Sequence, residues 1–169
     1  MTRFIAYFCL VTLGFAPIPA FAGHQSVVGW VEKIHIDQLD ASFPAKLDTG
    51  ATTSSLGAMV IKVIKPEVKA RGNHGSVVFS VVDDNEQGRV LERKIQRWVR
   101  IKTKDGGFIR RPVVKLTFCV ANELITEEVN LADRTDFLYP VLIGRNMMQE
   151  GKLAIDASRT FTAKPNCKP

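Results

Sequence analysis

The sequence predicts an all-β domain, and three observations carry that expectation. Apolar residues come in blocks of strand length, notably Val27-Val28-Gly29-Trp30-Val31, Val77-Val78-Phe79-Ser80-Val81-Val82 and Val113 to Val120. Between the blocks lie turn formers such as Asp83-Asp84-Asn85-Glu86-Gln87-Gly88 and Lys104-Asp105-Gly106-Gly107. Only Arg145 to Glu150 reads as a helix; it is short, and Gly151 is placed as its C-terminal cap.

Residues 1–22 read as an export signal and not as part of the fold. Arg3 supplies a positive start, Phe4 to Phe15 an apolar run, and Ala20-Phe21-Ala22 a small-x-small cleavage site before Gly23. A membrane-spanning helix needs about 20 apolar residues, and Pro17 and Pro19 interrupt this run. The expectation is therefore a periplasmic or secreted protein with no membrane span once the signal is removed. Residues 23–169 then form one domain, undivided by linker or repeat.

The first strand of that domain runs from Val27 to Ile36. Phe43 to Leu47 forms a second and leads into a turn at Asp48, and Thr53 to Ile61 leads away from it. Lys65-Pro66 and Arg71-Gly72-Asn73 mark loops. Val77 to Val82 is a strand, and the polar turn after it is either the tip of a flap or an ordinary exposed hairpin loop. From Arg89 to Lys115 ten basic residues face only Glu92 and Asp105. Here Val99, Ile101 and Thr103 alternate with Arg100, Lys102 and Lys104, placing the charges on one strand face. That 89–115 face is either solvated, its lysines discouraging edge pairing, or a patch with the charge to meet an anionic partner. Phe108 to Arg111 and Val113 to Val120 follow the hairpin turn, then Ile125 to Leu131, Tyr139 to Ile143, the short helix, and Leu153 to Asp156.

The chemistry is concentrated at Asp48-Thr49-Gly50. A carboxylate at a strand-to-turn junction is held rigidly. Thr49 can lock the turn through local hydroxyl bonds, and Gly50 supplies backbone freedom and close approach. Two such carboxylates facing each other share a proton. Such a pair can activate water for attack on a peptide carbonyl and protonate the leaving group. Cys119 and Cys167 are left after signal removal; they either pair and tie the tail to the body, or stay as a buried thiol and a loose one.

Leu47-Asp48-Thr49-Gly50-Ala51-Thr52-Thr53-Ser54, followed late in the chain by Val141-Leu142-Ile143-Gly144-Arg145-Asn146, resembles the two signature segments of retropepsin-like aspartic proteases. Within that group the chain is similar to a bacterial family labelled ATP-dependent zinc proteases and linked to RimK-type ATP-grasp ligases. The likeness runs from Gly29-Trp30 through both segments to Ile155-Asp156. It implies a closed, mostly antiparallel acid-protease barrel with one short C-terminal helix. Because the chain holds a single Asp-Thr-Gly turn, it implies a homodimer with Asp48 of each subunit at the axis. Asp48, Thr49 and Gly50 are then catalytic, Thr49 cross-links the turns, and Ala51, Thr52, Ile143, Gly144 and Arg145 bind substrate or support the site. The implied substrate is a peptide or protein. The wider spacing between the motifs implies an insertion in the Asp83 to Val120 region relative to viral retropepsins.

The zinc and ATP parts of the family label find no support in the residues. There is no His-Glu-x-x-His; His24, His35 and His74 lack ligand spacing, and no Gly-rich Lys-Ser/Thr loop exists. No metal or other cofactor is expected, and export argues against a nucleic-acid partner. Two rival functions fit the same residues: a non-catalytic module binding a peptide or envelope partner, and a metal-dependent peptidase as the label claims.

Overall fold

The structure is a computed structural model that describes residues 25–68, 70–103 and 105–167. The export signal at 1–22 lies outside the described residues. Among the described residues eleven strands and one α-helix are formed: β1 (Ser26–Ile36), β2 (Ala41–Leu47), β3 (Ser54–Gly57), β4 (Met59–Ile64), β5 (Ser76–Val82), β6 (Gly88–Lys94), β7 (Arg97–Lys102), β8 (Phe108–Val120), β9 (Glu123–Ala132), β10 (Val141–Ile143), α1 (Arg145–Glu150) and β11 (Leu153–Thr160).

Six of these strands close a barrel in the order β1-β2-β10-β3-β9-β8, with β8 returning to β1 through Ile34↔Val120 and Ile36↔Phe118. Closure removes the exposed edges that an open sheet presents. β11 adds to β1 in parallel and β7 adds to β8. The ladders are mostly antiparallel; β2–β10 and β3–β9 are the parallel ones inside the barrel, and both flank the Asp48 turn. The fold is the acid-protease barrel that the resemblance implies. Alternation explains the packing: β2 reads buried, half-buried, buried along Ala41–Leu47, so Phe43, Ala45 and Leu47 point inward. Phe43, Phe118 and Met147 are fully buried together in the core, and burying a side chain of that size contributes about 1.5–3 kcal/mol.

The structure differs from the sequence reading at three places. Thr53 to Ile61 is not one strand. The chain changes sheets at Ala58: β3 belongs to the barrel, whereas β4 joins β5 and β6 in a separate three-stranded sheet whose Val77, Phe79 and Val81 pack onto the same core. Second, β8 runs unbroken through Pro112. The β9 ladder stops at Val113, so Pro112 pairs with β7 alone and its missing N–H falls where no second ladder needs it. Third, Gly88 to Lys94, where the sequence shows only density of charge, is the strand β6.

The polar turn after β5 is tied down. Asp83 Oδ1 accepts the Asn85 and Gln87 N–H groups, each at 2.9 Å, and Lys33 on β1 reaches Asp84 at 2.6 Å. The Gln87 N–H, foremost among the donors, holds the Asp83 carboxyl below its usual range.

The C-terminal tail is fastened twice. Glu32 is fully buried, and its carboxylate accepts the N–H groups of Gly29 (2.6 Å), Thr162 (3.0 Å) and Ala163 (3.1 Å) together with the Thr162 hydroxyl. Beyond it, Cys119 and Cys167 are joined as a disulfide, their Cα atoms 5.8 Å apart, and the Asn166 N–H donates to the Ala121 carbonyl. The bridge spans 48 positions. On chain-entropy grounds a link of that span stabilises by roughly 2–4 kcal/mol. Cys167→Ser is expected to unfold at lower denaturant concentration than wild type, and reductant to move wild type to the variant's midpoint. Identical midpoints for oxidised wild type and variant would show that the bridge contributes nothing.

Candidate active site

The site is built where β2, β10 and β3 meet. β10 lies between the other two, pairing Ile143 with Leu47 on one side and Leu142 with Ser55 on the other. The Asp48 N–H donates to the Ile143 carbonyl at 2.9 Å, so the end of β2 is pinned before the chain turns. Ala51 N–H then closes the turn on the Asp48 carbonyl at 3.1 Å. Within the turn the Gly50 N–H donates to Asp48 Oδ1 at 2.9 Å, fixing the carboxylate, while Lys46 Nζ lies 3.7 Å from Oδ2. The carboxylate is neither sunk nor free: the Asp48 side chain is 30 % exposed.

Gly50 serves the turn differently from the expectation. It does not occupy the left-handed region; its importance is room, since a Cβ there would stand 3.1 Å from Asp48 Oδ1. Thr49 is exposed, and among the described residues its hydroxyl takes no part in holding the turn. Arg145 does that instead. Its guanidinium donates to the Thr49 carbonyl at 2.6 Å and the Thr52 hydroxyl at 2.9 Å, and its N–H donates to the Ala51 carbonyl. Thus Asp48, Thr49, Gly50, Ala51, Thr52, Ile143, Gly144 and Arg145 are brought together in one place.

Gly144 is where the two motifs touch. A Cβ on it would fall 2.6 Å from the Thr53 carbonyl carbon and 3.0 Å from the Ser54 nitrogen. Beneath that contact lies a polar network for which the sequence offered no role. The Ser54 hydroxyl accepts the Gly144 N–H at 2.9 Å and donates to Asn146 Oδ1 at 2.9 Å. Asn146 Oδ1 also accepts the Ser54 N–H, and its Nδ2 donates to the Glu128 carbonyl at 2.9 Å. Asn130 Nδ2 donates to the Ser54 carbonyl at 2.6 Å. Ser54 and Asn146 stand inside the motifs, which was the available signal; Asn130 and Lys46 carried none.

A groove of about 730 Å³ runs between β4–β5, residues 109–112 of β8 and the end of β9 with residues 133–135; none of the residues of the Asp48 turn lines it. Its lining is mainly apolar, with Arg110, Arg111 and Arg134 opposed by Asp133. Desolvation, and then the Arg111 charge, hold Arg134 below its usual range, while Asp48 acts in the opposite sense. Thr135 donates to Asp133 through its N–H and its hydroxyl, and these bonds lower the Asp133 carboxyl. Among the described residues, no three His, Cys, Asp or Glu side chains gather as a metal-binding set.

A closed β-barrel with an Asp-Thr-Gly turn braced by an Ile-Gly-Arg-Asn segment defines the retropepsin-like class of proteins. The family model for "RimB-like: Retropepsin-like aspartic endopeptidase RimB" matches residues 27–166, and the chain belongs to that family. Among solved structures it is similar to Lpg0085 of Legionella pneumophila subsp. pneumophila str. Philadelphia 1, described as a protein of unknown function (DUF785). The identity is 33 %, the match covers 83 % of this chain and 100 % of that one, and the TM-score is 0.69. A comparison with curated proteins returned no match.

Proposed function

We propose that the chain is an exported aspartic endopeptidase in which Asp48 carboxylates from two subunits activate one water across a homodimer axis. The observation that carries this reading is the braced turn: one carboxylate per chain, fixed by the Gly50 N–H and left about a third open. A lone carboxylate cannot act as acid and base at once, whereas a facing pair holding one proton can do both. In the dimer, one Asp48 accepts a proton from the water as it attacks the scissile carbonyl. The other donates its proton to the leaving nitrogen as the C–N bond breaks, so the two carboxylates end with the single proton exchanged between them. The groove along β4–β5 and β8–β9 takes the peptide in extended form, and its arginines favour carboxylate-bearing side chains.

A peptide-cleavage assay tests the class directly. Activity on the acidic side of neutrality is expected to survive chelator and to need no ATP. The motive is the absence of a ligand set among the described residues. Activity lost with chelator and restored by zinc alone would install the metal-dependent reading. Peptide binding without cleavage by a monomer would install the non-catalytic one.

A further inference from the structure

At its base the β7–β8 arm belongs to the barrel, with Trp98 packed on the core and Pro112 buried, but toward the hairpin it carries a face that the barrel leaves exposed. Residues 108–112 of β8 pair with β7 and with no other strand, so the arm stands out from the closed barrel as a two-stranded ribbon. Strand alternation puts Trp98, Arg100 and Lys102 on one face beside Pro112, Arg110 and Phe108, their cross-strand partners. Arg100 is directly opposite Arg110, a like-charge pairing that destabilises a ladder unless something compensates. Within the chain the compensation is aromatic. Arg100 lies over Phe108 at 4.3 Å from the ring centroid, and Arg110 over Trp98 at 5.1 Å. The stacking holds the guanidinium planes in place and leaves their N–H edges for a ligand.

Among the described residues no carboxylate forms an ion pair with Arg100 or Arg110. Between Arg97 and Pro112 the sequence has six basic residues and one acid, Asp105. Asp105 is turned back into its own hairpin, where its Oδ1 accepts the Gly107 N–H at 3.3 Å. Arg97 is taken by Glu128 at 2.7 Å and Arg111 reaches Asn130. Arg100, Lys102 and Arg110 make no ion pair among the described residues. The face is also more than charged, because Phe108 is 56 % exposed beside the cations. A purely solvated strand face has no need of an exposed ring, whereas basic groups set among exposed rings suit the headgroup level of a bilayer.

We propose that this face docks the protein on an anionic phospholipid surface. Arg100, Lys102 and Arg110 would meet headgroup phosphates, and the Phe108 ring would enter the interface beside them. The proposal rests on the export reading only for where such a membrane is met. The docking itself is tested with purified protein and is separable from peptidase activity. Because Arg110 also lines the groove, the variants leave it alone.

The experiment is vesicle co-sedimentation. Wild type is expected to partition onto vesicles containing phosphatidylglycerol, to ignore pure phosphatidylcholine, and to be released as salt shortens the Debye length. Each basic group near an anionic surface is worth about fivefold in partition, so Arg100→Gln with Lys102→Gln is expected to lower binding roughly thirty-fold. Arg100→Lys with Lys102→Arg keeps the charge and is expected to retain binding, and thermal midpoints establish that all variants are folded. Phe108→Ser is expected to weaken partition while the charge is intact. Equal binding to both vesicle types, or unchanged binding by the double Gln variant, overturns the proposal. So does equal retention on soluble polyglutamate with no preference for vesicles, which would assign the face to a soluble acidic polymer.

Discussion

Asp48→Asn is expected to abolish peptide cleavage, by about three orders of magnitude or more, while the barrel stays folded. The substitution keeps the shape of the side chain. Its amide oxygen can still accept the Gly50 N–H that Asp48 Oδ1 now accepts at 2.9 Å, and the Asp48 N–H bond to Ile143 is a backbone matter. What disappears is the ionisable group, and with it both halves of the proton exchange. Because the proposed site takes one carboxylate from each subunit, the variant also damages its wild-type partner. In equal, fully exchanged mixtures only pure wild-type dimers work, so activity is expected to fall to about one quarter and not one half of the unmixed value. Wild-type activity is expected to follow a bell-shaped pH profile that belongs to the pair and not to either carboxylate. Activity proportional to wild-type chains would remove the shared site. Full activity in Asp48→Asn would remove the aspartic mechanism altogether.

The residues that proved legible are those whose signal is local. Asp48-Thr49-Gly50 and Ile143-Gly144-Arg145 announce themselves by type and order, and the structure sets them against each other. β1, β2, β5 and α1 follow from alternation, turn formers and a Gly cap within a few residues. What escaped depends on partners far along the chain. The break at Ala58 exists because β3 pairs with β9 and β10 while β4 must pair with β5; the run Ser54 to Ile64 contains no breaker except Gly57, whose Cβ would crowd the Pro140 carbonyl at 3.0 Å. Glu32 reads as an ordinary polar position in an alternating strand. It is buried because residues 162–163, 130 positions away, bring N–H and O–H donors to it. β6 was hidden by its own composition, since its half-buried face is Arg89, Leu91 and Arg93 and the neighbouring Val90 points to solvent, so no apolar alternation shows.

Gly144→Ala is expected to injure stability and activity together, and the reason is steric. The added Cβ would sit 2.6 Å from the Thr53 carbonyl carbon, 2.8 Å from its oxygen and 3.0 Å from the Ser54 nitrogen. All three are backbone atoms, so no side chain can swing aside; β10 and the start of β3 must separate. That strains the Gly144 N–H to Ser54 hydroxyl bond and, through it, the Ser54–Asn146 network. It also pulls Ile143 from the Asp48 N–H that anchors the turn. Overpacking of this kind costs about 1–3 kcal/mol, and displacement of the carboxylate by about 1 Å costs on the order of a hundredfold in rate. Gly88→Ala is the matched control, since a Cβ there meets nothing within 4 Å; its effect is expected to stay within about 0.5 kcal/mol. Denaturant unfolding and cleavage rate are read on both variants. If Gly144→Ala matched Gly88→Ala in both, the contact between the two motifs would not be what positions Asp48.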